Sequence, residues 1–209
     1  MTDASAQALA VLRNADNMQW YVVPIFVFAV YIYIVEIEKR NWSAVLLGIA
    51  MWATETIWEM LNALLLHFTQ YAPLWSTPGK SAYVIYVGLN IEITLFFSVV
   101  GLMVIKALPE DKNMKILGIP NRLFIPTLMG LTGVLVEVLL NRCDRLIWDW
   151  WWWGWPHVYL IVIAYCAPWI VLAWLHDNLS MRSKRIGAIV MPLLAIVCHL
   201  IFATILGWI

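Results

Sequence analysis

Long apolar stretches alternate with short polar segments along the chain, and this alternation predicts its secondary structure. Each stretch reaches about 20 residues, which is enough for an α-helix to cross the hydrocarbon core of a bilayer. The predicted spans are Trp20–Ile37, Trp42–His67, Ala82–Ile105, Arg122–Leu140, His157–Leu175 and Ile186–Trp208. Lipid offers the backbone no hydrogen-bond partners, so these segments are expected to be helices. The pattern therefore predicts an all-α, polytopic membrane protein with about six transmembrane helices in a single domain over residues 1–209.

The composition supports this prediction. Apolar residues make up 63% of the 209 positions and charged residues only 12%, whereas a soluble domain carries about 25% charged residues. The mean hydropathy is +0.80, and so much apolar surface cannot be buried inside one 24 kDa globule. The net charge is zero and no basic patch with interleaved aromatic residues is present, which argues against nucleic-acid binding.

Lysine and arginine residues are distributed unevenly between the two sides of the predicted bundle. The first, third and fifth loops hold nine of them, namely Lys39, Arg40, Lys106, Lys112, Lys115, Arg122, Arg182, Lys184 and Arg185. The other side holds four, namely Arg13, Lys80, Arg142 and Arg145. The positive-inside rule therefore predicts that both termini lie on the non-cytoplasmic side. We expect a multi-pass protein of a bacterial inner membrane or a eukaryotic endomembrane.

Six tryptophans fall within Trp148–Trp155, in the fourth and outward-facing loop. Tryptophan favours the headgroup layer, where its ring is buried and its N–H group stays hydrated. Two interpretations follow: the loop is an interfacial anchor, or it is a lid or wall of an apolar binding cavity.

Acidic residues interrupt three consecutive predicted spans. Glu55 and Glu59 lie one turn apart on one face of the second span, Glu92 lies inside the third, and Glu137 lies near the outer end of the fourth. With a rise of about 1.5 Å per residue, Glu59 and Glu92 are expected roughly 12–15 Å deep in the outer half of the membrane.

Carboxyl groups at this depth need partners, because a charged side chain at the bilayer centre costs at least about 2.5 kcal/mol. No lysine or arginine lies at a matching depth in these spans. The groups must share protons, bond to polar neighbours such as Asn62 and Asn90, or line a hydrated cavity. A buried carboxylic acid that keeps its proton can act as a general acid. The alternative for each is a structural hydrogen bond between helices.

No residue pattern predicts a cofactor or a nucleophilic centre. The four histidines are scattered without HxxxH or ExxH spacing, so a metal site that combines Glu59, Glu92 and Glu137 with a histidine is the less favoured interpretation. Neither a GxSxG motif nor a glycine-rich phosphate loop is present. We predict no metal.

Aromatic side chains accompany the acids in the same spans. In dry surroundings their ring faces stabilise cations. An acid that protonates an alkene and an aromatic cage for the resulting carbocation together form the minimal machinery of proton-initiated isoprenoid chemistry.

Short motifs resemble known membrane enzymes of this kind. Asn90–Phe97 is similar to the Pro-x-Glu-Glu-x-x-Phe-Phe signature of the lycopene cyclase domain, with Asn90 and Ile93 in place of the proline and the second acid. Trp58-Glu59 resembles the Trp-Glu of fungal membrane-bound meroterpenoid cyclases, in which that glutamate acts with a later aspartate. Asp149 and Asp177 are the candidates for that later aspartate here.

The order of acids and aromatic residues also resembles the emopamil-binding, or sterol isomerase, family. Glu92-Ile93-Thr94 in the third span is followed by an acid in the fourth, then by Pro156–Tyr159 and Trp169, while Glu55 occupies the position of a histidine in the isomerases. The resemblances imply polytopic enzymes that protonate an alkene in an apolar cavity.

The functional hypothesis is a membrane-embedded isoprenoid cyclase or double-bond isomerase. Its expected catalytic residues are Glu55, Glu59, Glu92, Glu137 and Asp149, and its expected substrate-binding residues are Trp58, Asn62, Asn90, Phe96, Phe97, Trp153, His157, Tyr165 and Trp169. The substrate would be a hydrophobic isoprenoid or lipid from the bilayer, and no cofactor is needed because the reaction is redox-neutral. The alternatives are a proton-coupled transporter or channel, and a non-catalytic subunit of a larger membrane complex.

Overall fold

The protein is mostly helical in a computed structural model that describes residues 1–79 and 81–209. Lys80, which the sequence places in the outer basic group, lies outside the described residues. The helices are α1 (Asp3–Ala10), α2 (Val22–Glu38), α3 (Trp42–Thr69), α4 (Ile91–Ala107), α5 (Asn121–Arg142), α6 (Val158–Asn178) and α7 (Met181–His199), which continues as a π-helix over Leu200–Ile205. Two short hairpins pair β1 (Val84–Tyr86) with β2 (Leu89–Asn90), and β3 (Lys115–Ile116) with β4 (Ile119–Pro120).

The protein is mostly helical, as predicted, and within the described residues four helices are long and apolar enough to cross a membrane. They are α3, α5, α6 and the continuous helix Met181–Ile205. The other two predicted spans correspond to α2 and α4, which have 17 residues each.

The predicted start of the third span is wrong, because the helix begins at Ile91 and not at Ala82. The β1–β2 hairpin occupies the preceding backbone, and the Asn90 side chain then caps α4 by accepting a hydrogen bond from the Ile93 N–H group at 2.9 Å. Glu92 consequently lies in the first turn of α4, and not well inside a helix as the predicted span implied.

One end of the bundle, which we call the basic end, is formed by segments 39–41, 108–120 and 179–180. Buried Lys184 donates hydrogen bonds here to Ser43 Oγ at 2.8 Å and to the His176 carbonyl at 2.6 Å, so it joins α3, α6 and α7. Arg122 on α5 forms an ion pair with Asp177 on α6 at 2.9 Å. These contacts hold the helix ends together at the side that the sequence predicts to be cytoplasmic.

The opposite end, which we call the tryptophan end, is formed by segments 1–21, 70–79, 81–90 and 143–157. Arg13 Nη2 donates to the main-chain oxygen of Ile209 at 3.0 Å, and the Thr2 N–H group donates to the Tyr71 carbonyl at 3.0 Å. Both termini therefore lie at the same end of the bundle as the tryptophan-rich loop.

Glycines allow the helices to pack at short distance. A Cβ atom at Gly101 on α4 would lie 2.9 Å from Met51 Cβ on α3, and a Cβ atom at Gly130 on α5 would lie 2.9 Å from Cys166 Cα on α6. Small residues at helix crossings are typical of membrane helices, which associate through close packing. The two pairs, α3 with α4 and α5 with α6, enclose the space that contains the candidate site.

Candidate active site

A cavity of about 630 Å³ lies among α3, α4, α5 and α6 at the tryptophan end. Its wall is mostly apolar but includes the four carboxyl groups of Glu55, Glu59, Glu92 and Glu137. Among the described residues, no lysine, arginine or histidine lines it. The volume lies within the range of roughly 300–1,000 Å³ typical of small-molecule sites.

Most of the predicted site residues line this one cavity. They are Glu55, Trp58, Glu59, Glu92, Phe96, Phe97, Glu137, Trp153, Tyr165 and Trp169. The structure thus brings together side chains from four helices and one loop that are separated by up to about half of the sequence.

Glu59 is fixed by a tryptophan from the loop that follows its own helix. Trp75 Nε1 lies 3.1 Å from each of the two carboxyl oxygens of Glu59 and donates to them. Asn62, one turn further along α3, positions this loop: it accepts from the Leu74 N–H group at 2.7 Å and donates to the Trp75 carbonyl at 2.8 Å. Asn62 therefore positions Glu59 through the loop and does not line the cavity.

Close packing at Gly88 completes this arrangement. A Cβ atom at Gly88 would lie 2.7 Å from Trp75 Nε1 and 2.5 Å from Asn62 Nδ2. Only glycine leaves space for the indole that holds Glu59.

Glu137 is fixed in the same manner by the tryptophan-rich loop. Trp148 Nε1 donates to Glu137 Oε1 at 3.0 Å, whereas Glu137 Oε2 has no hydrogen-bond partner among the described residues. The carboxyl group interacts electrostatically with Glu59, and Tyr165 on α6 lies beside it. Glu59 also interacts with Glu55, so three carboxyl groups form one cluster, and no described residue of the cavity wall supplies a countercharge.

Glu92 stands at the N-terminus of α4. Its Oε1 accepts hydrogen bonds from the Tyr21 hydroxyl at 2.5 Å and from the Ala82 N–H group at 2.9 Å. Its Oε2 has no partner in the described part of the chain. Glu92 and Glu137 thus share a pattern in which one carboxyl oxygen is held and the other is left unpaired.

Four predicted site residues do not line the cavity. Asn62 and Asn90 support the local backbone as described above, because their short amides bond to main-chain groups. Asp149 accepts a hydrogen bond from Thr2 Oγ1 at 2.6 Å, and His157 packs edge-on against Trp151 with ring centroids 5.9 Å apart. Asp177, the other candidate for the later aspartate, pairs with Arg122 at the basic end.

The tryptophan-rich loop contributes both to the cavity wall and to the surface. Trp153 is 9% exposed and packs on Trp75 with ring centroids 5.9 Å apart. Trp150 ties the loop down by donating to the Ala72 carbonyl at 3.1 Å. Trp151 and Trp155 point outward and are 77% and 55% exposed. The buried tryptophan Trp153 therefore fits the interpretation as a cavity wall, and the exposed Trp151 and Trp155 fit the interpretation as an interfacial anchor.

The cavity reaches the lateral surface of the bundle. Four residues of its wall are also exposed on the helix sides, namely Trp58, Phe96, Val136 and Ile163. They belong to α3, α4, α5 and α6 in turn, so an apolar molecule in the surrounding lipid could enter between the helices.

Three residues that hold the carboxyl groups were not among the predicted site residues, namely Tyr21, Trp75 and Trp148. A signal existed for Trp75, which lies in a loop between Pro73 and Pro78 on the same side as the other tryptophans. Nothing local to Tyr21 indicates that it contacts Glu92, which lies 71 positions later.

Fold and site together define an integral membrane protein with an acidic, aromatic cavity at one end of a helical bundle. A family model described as "Uncharacterized membrane protein family" matches residues 2–204, and the chain belongs to this family. A relative from Archaeoglobus fulgidus, described as "Uncharacterized protein", is 41% identical over 211 residues, which cover 100% of this chain and 99% of the relative. No solved structure matches the chain. Neither description names an activity, so cyclisation and isomerisation stay predictions.

Proposed function

We propose that this protein is a membrane-embedded enzyme that cyclises an isoprenoid, or isomerises one of its double bonds, after protonating an alkene. The observation that carries the proposal is the convergence of four carboxyl groups and six predicted aromatic or phenolic side chains on one apolar cavity that reaches the lipid-facing surface. Proton-initiated chemistry on an apolar substrate requires these elements and no redox partner.

The carboxyl cluster of Glu55, Glu59 and Glu137 is suited to supply the proton. Carboxyl groups that interact without a countercharge cannot all ionise easily, so they share protons. We assign Glu59 as the general acid, because Trp75 holds it against the cavity and Glu55 lies one turn away to share the proton. The proton adds to one alkene carbon, and the electron pair of the double bond forms the new C–H bond.

Glu92 is suited to take the final proton. In a cyclisation, a neighbouring double bond attacks the cation and closes a ring, whereas an isomerisation lacks this step. In both reactions a C–H bond adjacent to the cation then breaks, and its electrons form the new alkene. The Tyr21 hydroxyl and the Ala82 N–H group hold Glu92 Oε1, and its unpaired Oε2 can accept that proton. One proton is added and one is removed, so the product is an isomer of the substrate.

The aromatic residues are suited to stabilise the cation between these two steps. Phe97 and Trp169 stack with ring centroids 6.5 Å apart, and Phe96 packs edge-on against Phe97. Ring faces attract cations most strongly where water is excluded.

The packing between the cavity and the basic end favours an enzyme over a proton-coupled transporter. This part of the bundle is filled by apolar side chains from α3, α4 and α6, among them Leu47, Met51, Leu102 and Leu172. A proton relay needs polar groups along its whole path. The inward packing of Trp148, Trp150 and Trp153 likewise argues against a subunit whose tryptophan loop serves chiefly for docking.

Solvent deuterium provides the direct test of the proposed chemistry. We expect purified protein, incubated in D₂O with polyprenyl, carotenoid and sterol candidates, to convert at least one of them into an isomer that contains deuterium from solvent. The general acid exchanges with solvent, so its deuteron enters the product at carbon. Mass spectrometry of the product checks this, and an isomer without deuterium would contradict protonation by the enzyme.

We further propose that the chain crosses the membrane six times, with the tryptophan end outside. Two observations support this arrangement: both termini lie at that end, and most lysine and arginine residues belong to the other one. An even number of spans is needed to bring the termini to one side. The short helices α2 and α4 would then cross where the bilayer is locally thinner, or with flanking aromatic residues at the membrane–water interface.

The free thiol of Cys143 is a natural reporter for this orientation. It is exposed at the tryptophan end, whereas Cys166 is buried. We expect a membrane-impermeant maleimide to label Cys143 in right-side-out vesicles. In a Cys143→Ser variant that also carries Leu117→Cys, at the exposed tip of the β3–β4 hairpin, labelling should require inverted vesicles. The reverse pattern would overturn the orientation.

A further inference from the structure

The buried indole N–H group of Trp153, in the cavity wall, has no hydrogen-bond partner among the described residues. Trp153 is 91% buried, since its exposed fraction is 9%, and it lines the cavity, but its Nε1 forms no hydrogen bond with any described residue. Trp75, Trp148 and Trp150 belong to the same aromatic cluster, and each of them donates its N–H group to a carboxyl or carbonyl oxygen. The buried indole N–H group of Trp153 has no such acceptor among the described residues.

Carboxyl oxygens of the same wall are unpaired as well. Glu137 is 3% exposed; Trp148 donates to its Oε1, Tyr165 also interacts with the carboxyl group, and no described residue forms a hydrogen bond of normal distance and angle with its Oε2. Buried polar groups in native proteins are nearly always hydrogen-bonded, and an unsatisfied one calls for a specific explanation. A donor and an acceptor left unpaired in the wall of a binding cavity are complementary to a polar group of a ligand.

We propose that the ligand of this cavity is an isoprenoid with a hydroxyl group at one end, and that Trp153 and Glu137 bind this hydroxyl. An indole N–H group can only donate, so it requires an oxygen lone pair. A hydroxyl oxygen supplies that lone pair, and its proton can be donated to Glu137 Oε2. An unsubstituted hydrocarbon offers neither and would leave both protein groups unpaired.

The position of Trp153 also sets the direction of the bound molecule. Trp153 is the cavity-lining tryptophan of the tryptophan-rich loop, and it packs on Trp75 at the tryptophan end. Trp58 and Phe96 lie where the cavity reaches the lateral surface. The hydroxyl therefore lies under the loop and the hydrocarbon chain extends past the aromatic residues toward the lipid.

This inference rests on the proposed function only in using the same cavity, because it concerns binding and not turnover. Binding is tested without any reaction, so a failure of the hydroxyl-binding inference does not imply a failure of the proposed enzymatic function, and the reverse also holds. The probes are geranylgeraniol and the hydrocarbon with the same carbon skeleton but without the hydroxyl group. Their dissociation constants are measured with the purified full-length protein in detergent, from intrinsic tryptophan fluorescence.

We expect the alcohol to bind about tenfold more tightly than the hydrocarbon, since one or two hydrogen bonds contribute roughly that factor. In Trp153→Phe, which keeps an aromatic ring but removes the donor, this ratio should fall toward one while the dissociation constant of the hydrocarbon changes little. Trp151→Phe is the matched control, because Trp151 belongs to the same loop but is exposed. Comparing ratios between variants cancels the partitioning of each probe into detergent.

Equal affinities of the two probes for the unmodified protein, or no binding of either, would overturn the inference. A preference for the alcohol that persists in Trp153→Phe would overturn the assignment of the hydroxyl site. Circular dichroism shows whether the variant is folded. If it is not, the dissociation constants of the two probes for the unmodified protein still test whether the cavity prefers the alcohol.

Discussion

Glu59→Gln is expected to reduce turnover by about a hundredfold or more, which is the usual contribution of a general acid. An amide cannot deliver a proton to an alkene, yet its oxygen can still accept the hydrogen bond from Trp75, so the fold should persist. The measurement is the rate of formation of the deuterium-labelled isomer in D₂O.

Glu38→Gln is the matched control for this substitution. Glu38 is an exposed glutamate at the C-terminal end of α2, near the basic end and outside the cavity wall. Its substitution should leave the rate unchanged. If Glu59→Gln retains the rate of the unmodified protein while remaining folded, the role of this carboxyl group as the proton donor is wrong.

Gly130→Ala is expected to lower the free energy of unfolding by about 1–3 kcal/mol, the usual cost of an added methyl group in a tightly packed interior. The new Cβ atom would lie 2.8 Å from Cys166 Sγ, 2.9 Å from its Cα and 3.1 Å from its backbone nitrogen. Backbone cannot rotate away as a side chain can, so α5 and α6 must separate. The midpoint of thermal unfolding should fall by roughly 2–4 °C for each kcal/mol lost.

Gly187→Ala in α7 provides the comparison. A Cβ atom there meets no heavy atom within 4 Å, and alanine has the higher helix propensity, so stability should be unchanged or slightly greater. Equal unfolding midpoints for the two variants would show that the α5–α6 crossing tolerates more volume than its geometry implies. Because Glu137 and Tyr165 belong to these helices, Gly130→Ala should also change the shape of the cavity.

Much of the architecture could be predicted because its causes are local. The apolar stretches correspond to α2–α7, since a bilayer-length apolar segment has no stable alternative to a helix. The third span was the exception. Residues 82–90 are apolar enough to continue a helix, but the Asn90 cap and the β1–β2 pairing end it earlier, and apolarity alone does not separate a hairpin from a helix.

The chemistry of the candidate site could be predicted only in part. Buried acids and aromatic residues are recognisable by type, and Glu59 and Glu137 are buried as expected. Asn62 and Asn90 belong to the same spans but serve the backbone, because a short amide adjacent to a loop or a helix end can satisfy main-chain groups instead of a ligand.

The sequence by itself determined that this is an apolar, helical chain, that acids interrupt three of its spans, and that most basic residues belong to one side. Only the tertiary structure decided that Glu55, Glu59, Glu92 and Glu137 line one cavity and that Trp75 and Trp148 hold two of them. The physical reason is that a helix surrounded by lipid is apolar on nearly every face, so its sequence does not indicate how it is rotated. That rotation is set by contacts such as Gly130 against Cys166, between residues far apart in the chain.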